Sequence, residues 1–267
     1  MINPLKTVEI NTFIFRHPKV PRNLENFQIA QISDVHLGRW VKPRHMRQIV
    51  EFVNFQEPQL VALTGDYVGY SSRDILPCVE TLSGLRHPTY AVLGNHDHWT
   101  STEQSVNAFR ELKIPVLSNE SVPFSYGQGM IDLVGVDDHV TKKSDIEAAF
   151  GNVGGENFCL TLNHVPSIAP QLAVRGADLI LSGHTHGFQF NIPGVTHRIA
   201  RKFGTEFYAG AYRIDNSYLY INRGLGSASW PWRIRAMPEL SFFRLEYGEI
   251  PRLELAETKY LNIKHRE

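Results

Sequence analysis

The sequence predicts an α/β fold layered as a sandwich. In the first half, short apolar runs with strand character alternate with stretches of helical periodicity. In the second half, strand-like runs succeed one another with few helices between them. In addition, five of these apolar runs end in Asp, Asn or His.

Phe27 to Ile32, the first of the runs, alternates apolar and polar residues like a strand. Met46, Ile49, Val50 and Val53 recur at helical spacing, and Pro58 ends that pattern. Leu60 to Leu63 and Tyr90 to Leu93 read as short buried strands. Val106, Phe109 and Leu112 share one face of a second helix. Met130 to Val136, Phe158 to Leu162 and Leu179 to Leu181 are further strands, and Tyr218 to Ile221 and Leu240 to Leu245 come after them. With 267 residues, no internal repeat and no low-complexity linker, the expectation is a single domain over 1–267. Its catalytic core is placed at about 27–247.

Composition narrows the function. An apolar fraction of 42% and a charged fraction of 20% are ordinary for a globular chain. Lys and Arg balance Asp and Glu to a formal charge of zero, which argues against a general polyanion-binding role. Cys78 and Cys159 stand far apart and read as small buried hydrophobes of a reducing compartment. No apolar run approaches the roughly 18 residues of a membrane span. Met1 to Val8 lacks the layout of a signal peptide. The expected location is the cytoplasm, with peripheral contact at a membrane as the second expectation.

The chemistry lies just beyond the strands. The first run leads into Asp34-Val35-His36, the next into Gly65-Asp66, and the third into Gly94-Asn95-His96-Asp97. The later ones lead into His164 and into Gly183-His184-Thr185-His186. Ligands in α/β proteins gather beyond the carboxyl ends of strands, so the five loops can share one rim. Carboxylate, amide oxygen and imidazole, with no thiolate, suit divalent Mn, Fe or Zn. Read as extended segments, Asp34/His36 and His184/His186 each point two side chains the same way. Any one of these pieces has a bland reading as a turn, a capped loop or a hydrogen-bonded core histidine. All five in this order are hard to produce by chance. Asp137-Asp138-His139 reads as a loop end, and His98 as a pocket or surface residue.

Together, Asp34-x-His36, Gly65-Asp66, Gly94-Asn95-His96-Asp97, His164 and Gly183-His184-Thr185-His186 resemble the ordered signature of calcineurin-like metallophosphoesterases. The resemblance runs from about Phe27 to Leu245. It implies a four-layer α/β/β/α sandwich and two divalent metal ions, manganese first, with iron or zinc as alternatives. It further implies one metal on Asp34, His36, Asp66 and His186, and a second on Asp66, Asn95, His164 and His184, with Asp66 bridging. His96 would face the substrate, and Asp97 would orient it through its second ring nitrogen. In such enzymes two cations roughly 3.5–4 Å apart clamp the phosphoryl group, and the hydroxide they generate attacks phosphorus.

A narrower resemblance lies in His184 to Gln189, Ile192 to Gly194, Tyr220 to Gly226 and Arg233 to Leu240. It is to a bacterial subgroup of the YkuE and YaeI kind, whose relatives include UDP-2,3-diacylglucosamine pyrophosphatases. The sequence departs from the subgroup in lacking a membrane segment and in carrying Phe188 where glycine is usual. The resemblance makes a nucleotide-linked lipid the candidate substrate. Basic residues interleaved with aromatics give this some support: Arg198, Arg201 and Lys202 with Phe203, Phe207 and Tyr208; Arg233 and Arg235 with Trp230 and Trp232; and Arg39 with Trp40. Residues 187–240 are therefore read as a substrate rim, with Arg39, Phe188, Arg233 and Arg235 meeting the substrate. A soluble general or cyclic-nucleotide phosphodiesterase is the alternative, and a protein-binding scaffold on the same fold is the non-enzyme alternative.

Overall fold

The computed structural model describes residues 5–192, 194–202, 206–227 and 230–264. Along the chain run β1 (Thr7–His17), β2 (Gln28–Ile32), α1 (Pro43–Gln56), β3 (Leu60–Thr64), α2 (Ile75–Leu82), β4 (Thr89–Val92) and α3 (Asn95–Glu111). After them come β5 (Glu120–Tyr126), β6 (Gly129–Val136), α4 (Ile146–Ala149), β7 (Phe158–Asn163), α5 (Ala169–Val174) and β8 (Leu179–Ser182). The last are α6 (Val195–Lys202), β9 (Gly210–Ile214), β10 (Ser217–Ile221), β11 (Glu239–Tyr247) and β12 (Arg252–Asn262).

These strands form two six-stranded mixed sheets, ordered β12-β1-β11-β2-β3-β4 and β5-β6-β7-β8-β10-β9. Period-two side chains decide what each face meets. In β3, Val61 and Leu63 face the layer of α1, α2 and α3, where Met46, Ile49, Cys78, Val79 and Phe109 pack. Leu60 and Ala62 face the other sheet, against Leu160, Leu162, Leu179 and Leu181. On the far side of the second sheet, Val134, Cys159, Ile180 and Leu219 pack against Ala149, Ala169 and Leu172. The result is the α/β/β/α sandwich that the sequence led us to expect. Cys78 and Cys159 are buried and free.

α1 starts at Pro43, where a missing N–H costs nothing, and stops at the left-handed Glu57 before Pro58. The sheet is wider than the expected core of 27–247. β1 is inserted between β11 and β12, parallel to the former and antiparallel to the latter. Phe13 and Phe15 of β1 thereby join the inter-sheet core. Among the described residues, no helix is long and apolar enough to cross a membrane.

Candidate metal centre

Five strands deliver the candidate ligands. In the first sheet β2, β3 and β4 run parallel, and in the second β7 and β8 do. Their carboxyl ends are therefore neighbours within each sheet. Gln31 Nε2 joins the two sheets by donating to the Ser182 carbonyl at 2.9 Å. The loops beyond are laced by backbone bonds: Asp34 N to Gly65 O at 2.9 Å, His36 N to Asp66 O at 3.0 Å, and Gly183 N to His164 O at 3.1 Å.

The paired ligands are not extended, and this corrects the sequence reading. Asp34, His36, His184 and His186 have φ of 49°, 44°, 73° and 52°, and Asp66 has 56°. Each left-handed non-glycine residue costs about 1–3 kcal/mol and persists only where its surroundings hold it. Here backbone bonds between loops hold Asp34, His36 and Asp66, and the Asp34 carboxylate accepts from His184 N at 3.1 Å. Gly183 and Gly94 permit the approach. A Cβ at Gly183 would collide with Ser33 Oγ and Asp34 Oδ2, and one at Gly94 would collide with Asp66 Oδ1.

Among the described residues, three overlapping groups of ligand atoms result, one of them His36, Asp66 and His96; the other two share no residue. Asp34, His36 and His186 form one, and Asp66, His164 and His184 the other; the atoms of each lie within 4.8 Å of one another. His36 Nε2 stands 3.5 Å from Asp66 Oδ2, and His186 Nε2 stands 3.4 Å from Asp34 Oδ1. His164 Nε2 lies 3.2 Å from Asp66 Oδ2. It is buried and not aligned with any hydrogen-bond partner. Asn95 Oδ1 lies 2.8 Å from His184 Nδ1 and adds an amide oxygen to the second group.

The outer ring nitrogens fix which atom faces inward. His36 Nδ1 donates to Val68 O at 3.3 Å, and His164 Nδ1 to Thr64 O at 2.8 Å. Carbonyls accept only, so Nε2 of each ring turns its lone pair to the centre when the ring is neutral. Burial lowers the pKa of His36 and His184 to about 4 and that of His186 well below its usual value. Neutral rings of this kind can offer a lone pair to a cation. Burial opposes the charge on Asp66, but His164 outweighs it and holds the carboxylate ionised. His164 is pushed up to about 10, burial being overcome by Asp66 and Asp34. An orphaned buried nitrogen, inward lone pairs and ionised Asp66 fit divalent metals.

His186 differs from the other rings. Arg233 Nη2 donates to its Nδ1 at 3.2 Å, so a neutral His186 carries its proton on Nε2, 3.1 Å from His36 Nε2. A metal held by His186 at this nitrogen would have to displace that proton.

Residues 27–188 match the family described as calcineurin-like phosphoesterase. The chain belongs to that family. It is similar to the uncharacterized metallophosphoesterase YkuE of Bacillus subtilis, 25% identical over 247 residues, which cover 90% of this chain and 86% of that one. It is also 28% identical over 260 residues to a bovine transmembrane protein with a metallophosphoesterase domain, covering 90% of this chain and 58% of the relative. Among solved structures, a dimetal phosphatase from Danio rerio superposes with a TM-score of 0.56 at 11% identity. The match covers 90% of this chain and 100% of that one, and is a likeness of fold.

In this metal-dependent phosphoesterase, Asp97 does not orient His96. Asp97 is the third residue of α3, and its carboxylate accepts from Gly94 N at 2.9 Å, Asp66 N at 2.8 Å and Tyr67 N at 2.9 Å. It closes a capping box and ties the β3 and β4 loops together. His96 is oriented instead by Gly69 O, which accepts from Nδ1 at 2.7 Å. Replacing Asp97 with Ala leaves three buried N–H groups without an acceptor. We expect a stability loss of about 3–5 kcal/mol in urea unfolding, since each orphaned donor costs roughly 1–3 kcal/mol. A variant of unchanged stability that loses only kcat would restore the orienting role.

Phe188 lines the phosphoesterase pocket, a cavity of about 260 Å³ whose wall also includes Asp66, Asn95, His96, His184, Thr185, His186 and Gln189. The three arginines expected to meet substrate lie elsewhere. Arg233 is turned inward behind His186, donating to the carbonyls of Arg223, Ala236 and Gly226, because a loop without regular structure leaves those oxygens to be satisfied. Arg39 is exposed and stacks over Trp40, and Arg235 is exposed in a left-handed conformation. The His98 side chain is buried and paired, with Nε2 2.7 Å from Asp137 Oδ1 and Nδ1 2.9 Å from Thr102 Oγ1. Phe203 and the side chain of Arg201 lie outside the described residues.

The sequence reading missed the carbonyls of Thr64, Val68 and Gly69 as partners of the histidines. A backbone oxygen has no signature in residue type. It also missed Tyr70 and Trp99, whose rings pack on His96 with centroids 4.9 and 5.1 Å away. Their place just after Gly65-Asp66 and Gly94-Asn95-His96-Asp97 was the available signal.

Proposed function

We propose that the protein hydrolyses a phosphodiester or pyrophosphate bond of an acyl-bearing substrate at a membrane surface, a nucleotide-linked lipid such as UDP-2,3-diacylglucosamine being the candidate. Asp34, His36 and His186 would hold one divalent metal, and Asn95, His164 and His184 a second, with Asp66 between them. Bound there, two such ions supply Lewis-acid polarisation of the phosphoryl group and acidify water. The protein's own groups do the rest. Asp66 holds the negative charge that gathers the cations. His96, with Nδ1 fixed on Gly69 O, presents Nε2 to the pocket, and in its doubly protonated form hands the Nε2 proton to the departing oxygen.

The observation that supports the lipid is an apolar ledge continuous with the pocket wall. From Phe188 and Gln189 the chain runs into Phe190, which bridges to Ile234. Asn191 N donates to Ile234 O at 2.8 Å, and Ile234 N to Gln189 O at 2.7 Å. Phe190, Ile192, Val195, Trp230, Trp232 and Ile234 are all exposed, and Trp230 stacks on Trp232 at 5.9 Å. Exposed Arg198, Lys202 and Arg235 lie on the same segments. Large side chains of this kind beside cations suit a bilayer interface. A cavity of about 260 Å³ seats a phosphoryl group and leaves acyl chains to the ledge.

The test is sedimentation with anionic vesicles across a salt series. Binding should weaken with salt, because each cation near the surface contributes roughly 1 kcal/mol, and it should weaken with Trp232→Ser. Turnover of a water-soluble phosphodiester should stay within about twofold, the metal centre being untouched. Absence of binding at low salt, with no gain in kcat/KM from acyl chains, would leave a soluble phosphodiesterase as the reading.

A further inference from the structure

We propose that Tyr70 and Trp99 form a clamp for a planar ring carried on the leaving-group side of the substrate, the ring of a nucleoside. The inference rests on the reading of His96 as the proton donor and goes beyond it by naming what the departing oxygen bears.

The two side chains come from different loops and meet at one residue. Tyr70 is next to Gly69 in the segment after β3, and Trp99 sits in the first turns of α3. Both rings lie against the His96 imidazole, at interplanar angles of 66° and 63°. Yet Tyr70 is 67% exposed and Trp99 is 60% exposed. Aromatic rings of this size bury more than about 150 Å² when covered, and leaving them open to water forfeits that gain unless a ligand covers them.

Both rings are held in place. The Gly69 carbonyl accepts from His96 Nδ1 at 2.7 Å, which fixes the backbone next to Tyr70. The backbone next to Trp99 is anchored by His98, bound to Asp137 at 2.7 Å and to Thr102 at 2.9 Å. Asp137 is further held by Ser118 Oγ at 2.8 Å. After these residues α3 breaks at Ser101, with φ −175° and ψ 105°, so the turn bearing Trp99 is set apart from the rest of the helix. Two rigid rings lose little conformational entropy on stacking with a ligand.

Position decides which part of the substrate meets them. A phosphoryl group seated between the ligand groups has its leaving oxygen on the side of the proton donor, because the proton must reach that oxygen within hydrogen-bond distance. That donor is His96, and Tyr70 and Trp99 flank it. The group attached to the leaving oxygen therefore passes over these rings. The branched aliphatic side chains that would suit an acyl chain, Ile192, Val195 and Ile234, lie on the ledge instead. A flat π-surface suits the clamp, and a nucleoside supplies one next to a phosphate ester.

The experiment is calorimetric titration of the manganese-loaded protein with adenosine 5′-monophosphate, uridine 5′-monophosphate and ribose 5-phosphate. The three share the phosphate ester and differ in the base. The nucleotides should bind about 5- to 100-fold more tightly than ribose 5-phosphate, the range of base–aromatic stacking, with adenosine at least equal to uridine. The double substitution Tyr70→Ala/Trp99→Ala should bring the nucleotides down to the affinity of ribose 5-phosphate and leave the latter within about twofold. Both side chains being exposed, the melting temperature should move little, which a thermal scan checks. Equal affinity of all three ligands for the unsubstituted protein, or a base preference that survives the double substitution, overturns the clamp. Failure of ribose 5-phosphate itself to bind overturns the phosphoester reading beneath it, which separates the two.

Discussion

Replacing Asp66 with Asn will cut bound metal from two ions per chain to at most one and lower kcat/KM on any phosphodiester by roughly 10³-fold or more, several kcal/mol of electrostatic catalysis being lost. The reason is its position. Oδ2 of Asp66 is 3.5 Å from His36 Nε2 and 3.2 Å from His164 Nε2, so a single carboxylate faces both ligand groups. Its other oxygen accepts from His96 N at 2.9 Å, and Asn can still make that bond. The substitution thus removes the charge with little change of shape. Mass-spectrometric metal analysis after dialysis, with anomalous scattering to locate the ions, is the measurement. Two ions retained per chain would mean that Asp66 does not bridge.

Replacing His96 with Ala will lower kcat roughly 10²–10⁴-fold, the range for a positioned acid–base group, while metal content stays near normal. This prediction decides between two roles, since His36, Asp66 and His96 also bring ligand atoms within 4.8 Å of one another. With Nδ1 committed to Gly69 O, the inward Nε2 could bind a cation or deliver a proton. If Asp34, His36 and His186 on one side and Asn95, His164 and His184 on the other hold the two ions as proposed, His96 is left for the substrate. Loss of one metal ion on substitution would reassign it as a ligand.

Much of this was legible in one dimension. A strand facing two packed layers needs apolar side chains on both faces, so β3 and β8 stand out as short apolar runs. The residue types just after such runs name the chemistry, since Asp, Asn and His have no reason to cluster at strand ends in a core. β1 and β12 went unread, although β1 buries Phe13 and Phe15. Its alternation mixes Glu9, Asn11 and Arg16 among the apolar residues, and a strand with one partly exposed face of this sort gives a weak period-two signal.

The layered α/β class and the side chains able to hold cations could be read from the chain alone, because periodicity and side-chain chemistry are local properties, and the family and the order of the layers came with the resemblance that those motifs carry. How those side chains act on one another emerged with the packed fold. Asp97 reaches Asp66 N across 31 positions, and Arg233 reaches His186 across 47. The left-handed turns at Asp34, His36 and His184 are held because neighbouring loops bond to their backbone, not because those residue types prefer them. Tyr70 and Trp99 meet at His96 for the same reason: β3 and β4 lie side by side, and strand pairing brings the loops beyond them together. Such contacts arise from packing over long separations, which no short window of sequence contains.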